Sequence, residues 1–259
     1  MSEMTNVPMS VVAGRTMMPL FKKEVRQLLH KPAAVLSAVV FPLLFLVILP
    51  GLMAFFGSLG VSSSPVGGVP LPPGLAALAT EKPILMLRDF NLPLFLAIVG
   101  LFEPSFLAVY AIVSEKERKT IDLLLALPLS LAEIVNAKLA AIVAVSLAVT
   151  VPLLLINFAF LIIQGVGEPA YLVGFLFELL SALTFSTAVA LILGLAGKDY
   201  RTANNLSGVL VGPMILVVIA ANVFLPLGVL KAFALGAFFL VVGLMIFYVA
   251  LKRFTLERL

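Results

Sequence analysis

The chain has 259 residues, of which 62% are apolar and only 12% charged, against about 25% charged in an ordinary soluble domain. This excludes disorder, which needs low hydrophobicity and high net charge. It also excludes a water-solvated globule, because a fold of this length has no second core in which to hide so much apolar surface. Seventeen Lys and Arg against 13 Asp and Glu leave a net charge of +4, and there is no cysteine. Disulfides, thiolate metal sites and cysteine nucleophiles are therefore excluded. The lone His30 cannot build a histidine metal cluster. Basic residues sit at the ends of apolar runs and not in one patch, which points to lipid head groups and away from nucleic acid.

Residues 16–31 come first. Met17, Leu20, Phe21, Val25, Leu28 and Leu29 recur at helical spacing, while Lys22, Lys23, Arg26 and Lys31 fall mainly elsewhere. The pattern predicts an amphipathic helix lying in the membrane interface, its apolar face in lipid. Pro19 suits its first turn, and Pro32 ends it.

A bilayer core about 30 Å thick needs ~20 apolar residues in a helix. Six runs meet that length: 33–56, 92–113, 139–163, 170–197, 206–227 and 232–251. They are continuous, whereas membrane strands alternate. The fold class is therefore all-α: a single polytopic domain over 1–259 with six transmembrane helices. The first run is too long for the 7–15-residue core of a signal peptide and reads as an uncleaved span.

Loop charges set the orientation. With a cytoplasmic N-terminus, inner segments hold fourteen Lys and Arg, and outer segments only Lys82, Arg88 and Lys231. Both termini are expected in the cytoplasm, in a multi-pass protein of the cell membrane. The outer loop 57–91 is rich in Gly, Pro and Ser over residues 57–74, so no regular element is expected there.

The charged cytoplasmic stretch from Ser114 to Lys138 carries the most specific pattern. Its first part reads as a charged helix with a Glu115–Lys119 pair and an apolar ridge at Ile121, Leu124 and Leu125. Pro128 stops it. Ser130 and Glu133 then form a capping box for the third span. A plain solvated connecting loop would also carry such caps.

Glu115, Lys116, Glu117, Thr120, Ile121, Asp122, Leu124, Leu125, Pro128, Ser130, Glu133, Ile134 and Lys138 together resemble the first long cytoplasmic loop of ABC-2 type transporter permeases. Arg118 and Lys119 stand where many members have glycine. The basic N-terminal helix, six spans and inward termini extend the resemblance over the whole chain. It implies that the stretch is a coupling helix docking into a separate ATPase subunit, with Glu115, Glu117, Arg118, Thr120, Asp122, Leu124, Leu125 and Pro128 at the contact. It also implies a homodimer of permeases forming the substrate pathway of an exporter. Arg201, in the short loop before the fifth span, is a further candidate for touching the ATPase; a positive-inside anchor explains it equally well.

This chain has no Gly-x-x-x-x-Gly-Lys-(Ser/Thr) phosphate loop, so no catalytic residue is assigned. ATP and Mg would belong to the partner. Gly208 and Gly212 form a helix-packing spacing. Glu103 and Glu178 lie inside spans, roughly 16 and 12 Å deep at 1.5 Å per residue. Acids at such depth usually face protein or water, so both are candidates for the pathway. Asn222 interrupts the apolar run near the outer end and joins them. Two rivals share these residues: an ATP-independent secondary transporter or channel using Glu103 and Glu178, and a membrane assembly subunit of the haem-export type.

Overall fold

A computed structural model describes residues 9–58, 83–117, 131–196 and 200–256. Every regular element among them is helical. Helix α1 spans Met9–Leu29. Helix α2 covers 32–58, with a wider π turn at Leu44–Ile48. Helix α3 covers 83–117, with a π turn at Leu87–Asn91. Then follow α4 (Leu131–Ile163), α5 (Pro169–Ala196), α6 (Tyr200–Phe224) and α7 (Val229–Leu256). Helices α2 to α7 are each long and apolar enough to cross a membrane. The end of the bundle beside α1 is called the near end here, and the opposite one the far end.

Helix α5 is the axis of the bundle, packed between α3 and α7. Small residues bring these helices together. A Cβ on Gly100 would meet the Ala182 Cβ at 2.5 Å, and one on Gly236 would lie 3.1 Å from the Glu178 Cα. In lipid there is little hydrophobic drive between helices, so such close backbone packing carries much of the association. Ser105 donates to the Leu101 carbonyl at 2.7 Å, and Ser186 of α5 donates to the same oxygen.

Several boundaries differ from the sequence reading. The α1 helix begins at Met9, so Pro19 is internal and not in the first turn. The face carrying Leu20 and Leu28 packs against protein, chiefly α4, and not against lipid alone. Helix α3 extends back to Pro83, taking Arg88 and Asp89 out of the expected loop and into a span. They are tolerated there because they neutralise each other, which a search for uncharged runs cannot register. Lys138 and Lys231 likewise lie within α4 and α7. The fifth span ends earlier than expected, at Phe224, and its helix starts at Tyr200, ahead of the apolar run.

The residue after each π turn precedes a proline. Leu49 precedes Pro50 and donates to the Leu44 carbonyl; Leu92 precedes Pro93 and donates to the Leu87 carbonyl. Proline has no N–H, and its ring crowds the carbonyl four residues earlier. Widening the turn relieves that clash and leaves a carbonyl without its helical donor.

Candidate functional site

Two ionic clusters stand at opposite ends of the bundle. At the near end, Lys138 of α4 is 1% exposed. Its Nζ lies 2.9 Å from Glu24 Oε2 of α1 and 2.9 Å from Glu115 Oε1 of α3. Lys23 closes the group, 3.2 Å from Glu24 Oε1 and 3.6 Å from Glu115 Oε1. Among the contacts of the described residues, two cations face two carboxylates, which is how a buried charge group becomes tolerable. Glu115 and Lys138 are the two stems of segment 118–130, so the cluster clamps both stems to α1.

This places the candidates as follows. Glu115 is turned inward, 2% exposed. Glu117 is the last residue of α3. Arg118, Thr120, Asp122, Leu124, Leu125, Pro128 and the Ser130 cap lie outside the described residues. Arg201 is exposed in the first turn of α6. Glu24 was missed, although a signal existed: it lies midway between Leu20 and Leu28, an acid at the centre of the apolar stripe.

Inside the bundle, Glu103 and Glu178 are both 0% exposed. No oxygen of either has a hydrogen-bond partner among the described residues. They occupy different seams and do not form one site. Glu103 faces the Ser146 hydroxyl of α4. Glu178 lies beside α7 and within electrostatic reach of Lys231.

The far end is organised by the π turn of α3. Arg88 grips Asp89 with two bonds, Nε to Oδ1 at 2.9 Å and Nη2 to Oδ2 at 3.1 Å. Its Nη1 donates to the Val166 carbonyl at 3.1 Å, and its guanidinium lies 4.1 Å from the Tyr171 ring centroid. Arg88 therefore staples α3 to the α4–α5 turn. Lys231, also 1% exposed, donates to the carbonyls of Asp89 at 3.1 Å and Asn222 at 2.9 Å. Each of those residues stands four positions before a proline, Pro93 and Pro226. Lys231 thus caps two carbonyls that proline has deprived of a helical donor. Asn222 is 1% exposed, and neither polar atom of its side chain has a partner among the described residues.

A bilayer-spanning bundle with an ion-clamped segment at one end still leaves open which family built it. The pattern of the ABC-2 type transporter family matches residues 16–235. The chain belongs to that family. It is a permease subunit of an ABC-type transporter and a multi-pass membrane protein. ABC-2 permeases normally pair with an ABC ATPase subunit. The match begins within α1 and ends in the first turns of α7, so it includes both ionic clusters. No curated protein and no solved structure matches the chain.

Proposed function

We propose that this ABC-2 permease is the membrane half of an exporter, working as a homodimer above two copies of a separate ATPase. The near end would face the cytoplasm of the cell and segment 118–130 would dock on the ATPase, which supplies ATP and Mg. The observation that carries this reading is the Glu24–Lys138–Glu115 clamp. A docked segment transmits force only if its stems are rigid, and here both stems are tied to each other and to α1. The exposed Lys22 and Arg26 on the other side of α1 suit anionic head groups.

The fifth span supports a second copy. Among the described residues, nothing lies within 4 Å of a Cβ placed on Gly208 or Gly212 of α6. Val209 and Leu216 beside them are each 68% exposed. A Gly-x-x-x-Gly face open in the subunit is suited to close packing on its symmetry mate. Glu103, Glu178 and Asn222 are polar groups for the pathway or for its moving parts, closed to every surface of the single subunit in this conformation. An ATP-independent carrier using the same acids leaves the clamp without a purpose.

The test is recovery of the ATPase with purified variants. Burying a leucine contributes about 1.5–3 kcal/mol. Leu124→Ala with Leu125→Ala should weaken docking by roughly 3 kcal/mol, more than 100-fold in affinity. Charge reversal at Glu117 should cost less, since exposed ion pairs contribute about 0.2–1 kcal/mol. Unchanged recovery with the double leucine variant would remove segment 118–130 from the interface. Topology reporters at residue 75 and at the C-terminus should read outside and inside.

A further inference from the structure

We infer that helix α1 senses the charge of the leaflet it lies on: an anionic lipid head group bound along Lys22 and Arg26 draws Lys23 away from Glu24 and Glu115 and slackens the clamp on the stems of segment 118–130. The inference rests on the clamp and on the membrane, and does not need a docked ATPase. Helix α1 has two faces. Leu20, Glu24 and Leu28, at four-residue spacing, are buried. Met18, Lys22, Arg26 and Leu29, also at helical spacing, are all exposed. Two cations flanked by two apolar side chains make a helix face suited to head-group depth. Among the described residues no acid is in ion-pair contact with Lys22 or Arg26. The phosphate of an anionic lipid, held at the membrane surface, is the anion that fits such a strip.

Lys23 belongs to both faces. At about 3.6 residues per turn it falls between Arg26 and Glu24 around the helix, and its side chain is 49% exposed. Its Nζ is 3.2 Å from Glu24 Oε1 and 3.6 Å from Glu115 Oε1, whereas the buried Lys138 touches both carboxylates at 2.9 Å. Lys138 is therefore the fixed cation and Lys23 the exchangeable one. An exposed ion pair and the pull of an anionic surface on one lysine are of comparable strength, so the charge of the leaflet can decide where Lys23 points. With Lys23 drawn outward, the two carboxylates share one cation, and their mutual repulsion works between α1 and α3. Both stems then loosen, because Glu115 stands on one of them and Lys138 on the other.

The full chain in nanodiscs tests this without any ATPase. Hydrogen exchange is read at the stem helices, residues 110–117 and 131–138, in phosphatidylcholine alone and in an equal mixture with phosphatidylglycerol. The anionic mixture should raise stem exchange by about two- to fivefold, the range set by one partly exposed ion pair, and leave the α4–α5 turn at the far end unchanged. Lys22→Gln with Arg26→Gln removes the lipid strip and keeps the clamp, so the stems should stay protected in both lipids. Lys23→Gln takes from the clamp what the lipid takes. Its stems should exchange in neutral lipid as fast as those of the unsubstituted chain in the anionic mixture, with no further rise when phosphatidylglycerol is present. A purely structural Lys23 would give a loss that adds to the lipid effect; here the two should not add. Stem exchange that does not rise with phosphatidylglycerol, a full lipid response in the Lys22 and Arg26 variant, or additive effects in Lys23→Gln each overturn the inference. So does an equal rise at the far-end turn, which would mark a general effect of the bilayer. A failure of segment 118–130 to dock on an ATPase leaves all of these readings untouched.

Discussion

Lys138 and Lys231 are equally buried, at 1% exposure each, yet they are held differently. Lys138 has a carboxylate on each of two neighbouring helices. Lys231 is bonded to two backbone carbonyls with the Phe90 ring 5.6 Å away, and has no ion pair in contact among the described residues. A charge with its counterions in contact sits in a deep well. A charge held by neutral dipoles alone sits in a shallower one. The near end is built as a brace and the far end as a joint, although residue type and burial are the same.

The comparison breaks first at Lys138→Met, which takes from two buried carboxylates their buried cation and leaves them the half-exposed Lys23. It should destabilise the protein by about 3–5 kcal/mol, the cost of removing one partner of a buried pair. Adding Glu24→Gln and Glu115→Gln should recover most of that loss, since the buried charges are then gone and the one cation left, Lys23, is half exposed to solvent. Thermal unfolding in detergent measures both, and a triple variant no better than the single one would show that charge is not what the cluster balances.

Arg88→Gln should rank next. It gives up charge-assisted bonds to Asp89 and the Val166 carbonyl, with a loss of about 1.5–3 kcal/mol. The loss should fall on the far end, so protease cleavage at the α4–α5 turn would rise before global unfolding; uniform destabilisation would deny Arg88 its role as a local staple.

Lys231→Met should cost less than Lys138→Met, about 1–2 kcal/mol. It leaves two carbonyls unsatisfied but also removes a buried charge. Equal losses for the two lysine variants would erase the distinction between brace and joint. The smallest effect belongs to Glu168→Gln. Its contact with Arg88 is 3.7 Å long and its side chain 69% exposed, so the change should stay within about 0.5 kcal/mol. A larger shift in unfolding midpoint would mean that the rim holds Arg88 in place.

Chain composition by itself determined the solvent, the fold class and the number of spans. A run of some twenty apolar residues has few options in lipid other than a helix, because each backbone polar group must be satisfied locally. The pattern from Glu115 to Lys138 was legible for the same kind of reason: it is contiguous, so spacing along the chain preserves it. Both buried clusters escaped because their members come from different helices. Glu115 and Lys138 read as members of one cytoplasmic stretch while Glu24 went unread, and Arg88, Asp89 and Lys231 read as loop residues. A charge inside a span looks forbidden until its counterion arrives from another helix, and that arrival is a tertiary event. Pro93 and Pro226 were visible in the sequence, and so were the carbonyls they must orphan at Asp89 and Asn222. That a single lysine, 142 residues from Asp89 and nine from Asn222, reaches both oxygens was decided only by packing. Close approach of helices α3, α5 and α7 at small residues sets where the start of α7 lies, and linear spacing carries no record of that distance.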